Sequence, residues 1–185
     1  MEDNGASSYH RFLTGDTDGL TEIVHMYYDG LVLYLNTWLN NIHDAEDMAE
    51  ETILVLTTKR PKYKGQASFK TWLYAIGRNV TGKYLRKKRR LVPVEPEDMM
   101  LLISQEQDAA SEYFRDEEKR TLHKCLYRLR PDYRRVLWLK FFEDMSTEEI
   151  AKTMGKTIHS VYHSFERAKE ALREEMDREG YHERS

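Results

Sequence analysis

The sequence predicts an all-α protein of two small helical domains, a helical bundle and a helix-turn-helix domain, joined by a flexible acidic linker. Three observations carry this. Apolar residues recur every three or four positions through most of the chain. Gly (9) and Pro (4) are too few among 185 residues for the many turns of a β-sandwich or barrel. Charge is segregated: residues 91–118 hold nine acids and one base, against 13 bases and 11 acids before them and 15 bases and 12 acids after. The net charge of −3 therefore averages two mildly basic domains with an acidic tether.

Hydrophobic residues make up 40% of the chain, enough for a packed core, and the 33% of charged residues suits small helical domains with much surface. The longest aliphatic or aromatic run is Leu31–Leu35, against about 20 residues for a bilayer span. The opening Met-Glu-Asp-Asn-Gly lacks the basic and apolar blocks of a secretion signal, so a cytoplasmic protein without direct membrane insertion is expected. Cys125 is the single cysteine, which excludes an internal disulfide, and it falls in an apolar stripe as a core residue would.

Leu20, Ile23, Val24, Tyr27, Leu31, Tyr34, Leu35 and Trp38 form a first buried stripe, with Asp16 or Thr17 as its cap. A second helix is expected from the capping residue Asp44, turning Ala45, Met48, Ala49, Thr52 and Leu56 inward. Pro61 and Gly65 mark a loop over residues 59–67. Ser68 then caps a helix with Phe69, Trp72, Leu73, Ile76, Val80 and Tyr84 on one face. Pro93, Pro96 and the run of acids read as a partly extended linker, with a short helix at residues 99–103. Leu122, Cys125, Leu126 and Leu129 begin the second domain, and Val136, Trp138, Leu139, Phe141 and Phe142 continue it as a mostly buried helix. Ser146-Thr-Glu-Glu149 is a capping box, and Gly155 ends the short helix it starts. Thr157 caps the last helix, whose inward residues are Val161, Phe165, Ala168 and Leu172.

A short helix, a glycine turn and a longer amphipathic helix are the grammar of a helix-turn-helix, whose second helix enters the major groove. His159, Ser160, Tyr162, His163 and Arg167 are its outward donors. Lys83, Arg86, Lys87, Lys88, Arg89 and Arg90 are six bases in eight residues, more than a helix dipole needs, and they suit phosphates. Lys59, Arg60, Lys62 and Lys64 lie beside Tyr63 and Phe69, a mixture that suits stacked single-stranded bases. Asp44, Glu46, Asp47, Glu50 and Glu51 form an acidic helix start fit for a basic protein partner. They lack the Glu-x-x-His pairs of a two-metal bundle site, and His159 with His163 lacks a third ligand. Phosphate loops and hydrolase motifs are absent from the sequence, so no catalytic residue, cofactor, metal or small-molecule substrate is expected.

Three blocks in order carry a family resemblance. Asp44-Ala-Glu-Asp-Met-Ala-Glu-Glu-Thr52 resembles the region 2 helix of the extracytoplasmic-function sigma factors of bacterial RNA polymerase, with Glu50 where Gln is common. Phe69-Lys-Thr-Trp-Leu-Tyr-Ala-Ile-Gly-Arg-Asn79 and Tyr84-Leu-Arg-Lys-Lys-Arg-Arg90 resemble the next helix of that region. Leu129-Arg-Pro-Asp-Tyr-Arg-Arg-Val-Leu137 and residues 146–172 resemble region 4 and its helix-turn-helix. The recognition helix departs from the family, since Tyr162 and Ser164 stand where cations are usual. That points to a weaker phosphate grip or an unusual sequence preference.

The resemblance implies a sigma factor that binds core polymerase and directs promoter-specific initiation. Region 2 would span residues 8–90, the linker 91–118 and region 4 residues 119–178. Asp44, Glu46, Asp47, Glu50 and Glu51 would dock on the β′ coiled coil, and region 4 on the β flap. Lys62, Lys64, Gly65, Arg78, Asn79, Lys83, Arg86 and Lys87 would recognise and melt the minus-10 element. Thr157, His159, Ser160, Tyr162, His163 and Arg167 would read the minus-35 element. The linker would lie in the basic RNA channel, and an anti-sigma factor would be a further partner. The residues themselves leave open a stand-alone helix-turn-helix regulator and an all-α interaction scaffold.

Overall fold

The structure, a computed structural model, describes residues 4–91 and 117–180. Residues 92–116, which make up most of the acidic linker and include the helix expected at residues 99–103, lie outside the described residues. Eight helices and no strand occur among the described residues. The first unit comprises α1 (Asn4–Leu13), α2 (Asp18–Leu39), α3 (Ile42–Thr58) and α4 (Phe69–Leu91). The second comprises α5 (Glu117–Arg128), α6 (Pro131–Phe141), α7 (Thr147–Met154) and α8 (Ile158–Arg178).

Local chemistry sets the helix ends. Asn40 closes α2 in the left-handed region (φ 51°, ψ 34°), where its N–H donates to the Asn36 carbonyl at 2.8 Å. Extended Asn41 then opens α3, its side chain accepting from the Asp44 N–H at 2.8 Å. The cap is thus Asn41 and not Asp44, because Asn accepts the orphan amide without placing Asp44 outside the helix. Thr17 precedes α2 without a side-chain capping bond; Asp16 Oδ1 accepts from the Asp18 N–H instead. Pro131 sits in the first turn of α6, where a missing N–H costs nothing.

Helix α1 was not anticipated from the sequence. Only Tyr9 and Phe12 mark its apolar face, and the small residues Gly5 and Ser8 are buried against neighbours. Ser8 donates to Glu22 at 2.6 Å and Arg11 pairs with Asp16 and Glu22, which fasten α1 to α2.

One core belongs to the first unit alone: Tyr9, Phe12, Ile23, Leu56, Phe69 and Leu73. The larger core crosses between units. It joins Leu31–Leu35 and Tyr74 to Leu126, Trp138, Ile150, Val161, Ala168 and Leu172. Helix α2 packs on α6, and α4 packs on α7. Phe141, expected inside, is 56% exposed, because α6 presents Val136 to Leu139 to the core and turns its last residues outward.

Candidate nucleic-acid interface

The helix-turn-helix forms as its residues require. Ser146 Oγ accepts from the Glu149 N–H at 3.2 Å and Glu149 Oε2 accepts from the Ser146 N–H at 3.0 Å. Gly155 ends α7 in the left-handed region (φ 63°, ψ 38°), and the Lys156 N–H returns to the Ala151 carbonyl at 2.9 Å. Thr157 Oγ1 caps α8 by accepting from the Ser160 N–H at 3.2 Å. Val161, Ala168 and Leu172 are buried and Phe165 half-buried, which forces the opposite face outward.

That face holds the expected residues. Thr157, His159, Tyr162, His163 and Arg167 are exposed, and Ser160 is half-buried. His159 and His163 approach with their Nε2 atoms 3.1 Å apart. No group of three or more His, Cys, Asp or Glu able to hold a metal occurs among the described residues. Ile158, absent from the expected set, is 52% exposed beside Tyr162, which is 57% exposed. Its signal lay in the first helical position after the cap.

The basic residues of the first unit follow α4. Lys62, Lys64 and Gly65 are exposed in the loop before it, and Gly65 has a φ of 68° that favours glycine. Asn79, Lys83, Arg86 and Lys87 are exposed further along, and three of them recur at i, i+4 and i+7. At 1.5 Å per residue, Phe69 at the start of α4 and Arg86 lie about 25 Å apart. The arrangement is a track along one helix and not a compact pocket.

Of the aromatic residues beside the loop, Phe69 serves a different role from the one expected. Phe69 is fully buried. Tyr63 packs edge-on against it at 5.6 Å and against Trp72 at 5.2 Å, with its hydroxyl donating to the Ala67 carbonyl. Tyr9 Oη donates to the Pro61 carbonyl at 2.8 Å. Buried Tyr9 and Phe69 build the platform that holds the basic loop, and Tyr63 sits half-buried on it.

The acidic start of α3 divides in two. Asp47, Glu50 and Glu51 are exposed, and with Ile53, Leu54 and Thr57 they line a shallow groove. Leu54, 50% exposed within it, was not singled out from the sequence, where it reads as one member of an apolar run. Asp44 and Glu46 are half-buried. Asp44 accepts from Lys88 Nζ at 2.7 Å, a bond that raises the Lys88 pKa against the opposing effect of burial.

Polar side chains also bridge the two units, and the sequence did not mark them. Glu143 is 8% exposed; its carboxylate accepts from Tyr74 Oη at 2.9 Å and pairs with Lys70 Nζ at 2.7 Å. Burial, then the Glu143 charge, pushes the Tyr74 pKa well above its ordinary value. Glu149 Oε1 accepts from Ser68 Oγ at 2.9 Å and Thr71 Oγ1 at 3.3 Å. Burial opposes ionisation of Glu149, but these hydrogen bonds and the Ser146 amide together lower its pKa.

A helix-turn-helix and a second helical unit with a basic track define a two-part DNA-binding protein. The sequence matches Sigma-70 region 2 over residues 23–91 and Sigma-70, region 4 over residues 119–172. It is 28% identical to the ECF RNA polymerase sigma factor SigW of Bacillus subtilis (strain 168), over 88% of this chain and 91% of that protein. It is 26% identical to the RNA polymerase sigma factor YlaC of the same organism, over 90% of this chain and 97% of that protein. The fold is similar to that of the sigma factor RpoE from Bartonella quintana, solved in complex with the anti-sigma factor NepR. That similarity has a TM-score of 0.64 at 19% identity and covers 87% of this chain and 98% of that one. The chain belongs to the sigma-70 family of RNA polymerase sigma factors, in its extracytoplasmic-function group. It directs promoter-specific transcription initiation by core RNA polymerase.

Proposed function

We propose the following division of labour among the residues. Residues 8–90 act as region 2 and residues 119–178 as region 4, with residues 91–118 threading the basic RNA channel as an acidic surrogate. Asp47, Glu50 and Glu51 hold a basic β′ surface electrostatically, while Asp44 and Glu46 shape the helix start behind them. Exposed Leu54 adds an apolar anchor at the centre of that contact, the pattern of a hot spot inside a charged rim. Region 4 contacts the β flap.

Lys62, Lys64 and Gly65 hold the loop that receives an extruded minus-10 base, and Arg78, Asn79, Lys83, Arg86 and Lys87 guide the strand. Extrusion costs a few kcal/mol, which phosphate contacts along a track of this length offset. The first turns of α8 enter the minus-35 major groove, with Thr157, His159, Ser160, Tyr162, His163 and Arg167 facing the bases and backbone. The observation that carries this reading is the outward face of α8 behind a correctly capped glycine turn.

The protein performs no chemistry of its own; polymerase does. No described helix is long and apolar enough to cross a membrane. The reading places the protein in the cytoplasm with the polymerase, and the complex of the Bartonella quintana sigma factor with NepR supports an anti-sigma factor as a further partner. Run-off transcription from genomic fragments with purified core polymerase tests it. Discrete transcripts that need this chain are expected. A chain that binds duplex DNA tightly alone, yet elicits no transcript with core, would instead be a stand-alone regulator.

A further inference from the structure

We propose that His159 and His163 chelate a divalent transition-metal ion on the outward face of α8, and that the bound ion is the cation with which this helix holds a guanine of the upstream duplex. The inference rests on the minus-35 reading of α8 given above. The two histidines stand four residues apart, so both rings rise from one strip of the helix, and both are exposed. Beneath them Val161 is 1% exposed, and Thr157 caps the first turn. The backbone that carries the pair is held by its own packing and cap.

The rings meet at their outer nitrogens. Nε2 of His159 and Nε2 of His163 are 3.1 Å apart. A zinc–imidazole bond is about 2.0–2.1 Å, so two such bonds place their nitrogens about 2.9 Å apart at a right angle and about 3.3 Å apart at the tetrahedral angle. The observed separation lies between these limits. A straight N–H···N bond would carry both ring centres outward along the line of the nitrogens. The centres are only 4.3 Å apart, with the ring planes at 71°, so the rings are tilted off that line. Tilted rings at this spacing suit two ligands sharing an ion better than a donor facing an acceptor. Tyr162 lies edge-on to His163 at 6.1 Å and flanks its ring.

Charge decides what the ion does there. Residues 157–166 contain no lysine or arginine, so the first turns of α8 carry no fixed cation before Arg167. Two neutral imidazoles leave the ion its full double charge, which carboxylate ligands would cancel. Glu166, the acid one turn beyond His163, is paired with Lys169 Nζ at 2.9 Å. The pair thus fills two positions of a coordination shell and leaves the others facing outward. An imidazole pair selects Zn²⁺, Ni²⁺ or Cu²⁺ over Mg²⁺ and Ca²⁺, which take oxygen ligands. The major groove supplies the complement, because guanine presents its N7 and O6 acceptors there. Its N7 is an aromatic nitrogen of the same ligand class as imidazole. The third ligand that the sequence lacks then comes from DNA, and the grip of α8 depends on the metal.

Titration calorimetry of the full chain with Zn²⁺ at about pH 7.5, where an ordinary imidazole is neutral, reads the site without DNA. The wild type should show a binding step that His159→Gln and His163→Gln each weaken at least about tenfold, with helix content by circular dichroism unchanged. Equal binding by all three chains overturns the site. Holoenzyme is then given duplexes randomised through the upstream element and made with guanine or with 7-deazaguanine, which lacks N7. Added Zn²⁺ should raise retention of the guanine pool about tenfold and leave the 7-deazaguanine pool unchanged, and the His163→Gln holoenzyme should not respond to it. An equal response of the two pools, or none, overturns the contact through the ion. Arg167→Ala, read without Zn²⁺, separates that failure from failure of the minus-35 reading. Weaker retention keeps α8 in the groove; unchanged retention removes α8 from the groove and the ion contact with it.

Discussion

The Glu143 carboxylate lies 2.7 Å from the Lys70 ammonium, although 73 residues separate them in the chain. The pair belongs to different halves of the protein: Lys70 lies in the first turn of α4 and Glu143 in the turn between α6 and α7. Around it, Asn36 donates to Tyr127 Oη at 2.7 Å and the Arg135 guanidinium lies 3.5 Å from the centre of the Trp38 ring. Buried polar contacts of this kind specify one docking geometry more sharply than apolar packing alone.

Core docking should depend on charge at α3. Asp47→Lys with Glu50→Lys places like charges against a basic partner, at a cost of several kcal/mol. Both positions are exposed and tolerate Lys in a helix, so the fold should persist. Co-purification with core polymerase should be lost while the melting temperature stays within a few degrees. Undiminished co-purification would remove the acidic helix from the interface.

Arg134 should be a stability residue and not a DNA ligand. It is 8% exposed, and it donates to the carbonyls of Tyr127 at 2.9 Å and of Leu126 and Leu129 at 3.3 Å. It thereby satisfies orphan carbonyls at the end of α5. Arg134→Ala leaves them buried and unpaired, which costs about 2–4 kcal/mol. Urea denaturation should show that loss; a change below about 0.5 kcal/mol would mean that water replaces the side chain.

Acid should loosen the second unit through His123. Burial, with the nearby Arg134 charge, lowers its pKa from 6.5 to about 4. The folded protein keeps the ring neutral where the unfolded chain protonates it. Stability is therefore full above about 6.5 and falls as pH drops toward 4. Between pH 7 and 5.5 the loss should be about 1 kcal/mol, ahead of carboxylate titration. His123→Phe should flatten this slope in urea titrations; an equal slope in the variant would assign it to other groups.

The recognition helix should gain general grip from a restored cation. Tyr162→Lys adds a phosphate contact at an exposed position, which should steepen the salt dependence of holoenzyme binding by about one. Discrimination between matched and scrambled minus-35 elements should fall, because sequence-independent affinity rises. Unchanged binding to scrambled DNA at two salt concentrations would turn this helix away from the groove.

Local signals in the sequence were strong where side chain and backbone answer each other within a few residues. The capping box at Ser146–Glu149, the glycine at 155 and the Thr157 cap all lie as expected, and the outward face of α8 follows from them. The cap at Asn41 was displaced by three residues because Asn and Asp compete for the same role. Helix α1 escaped notice since two aromatic residues in ten make too short a stripe. Glu143 was illegible for a different reason: a lone acid in a turn looks solvated until Lys70 and Tyr74 arrive from another domain. Phe69 was illegible in another way, because composition cannot tell a stacking platform from the wall that supports it.

The central claim is that α4 carries the melted promoter strand within a polymerase holoenzyme. Permanganate reactivity of minus-10 thymines measures it most directly, using holoenzyme with Asn79→Ala, Lys83→Ala and Arg86→Ala. These residues are exposed, so folding and core association should survive. The account predicts that the variant holoenzyme still assembles but that thymine reactivity largely disappears. Reactivity equal to wild type, with core binding intact, would contradict it.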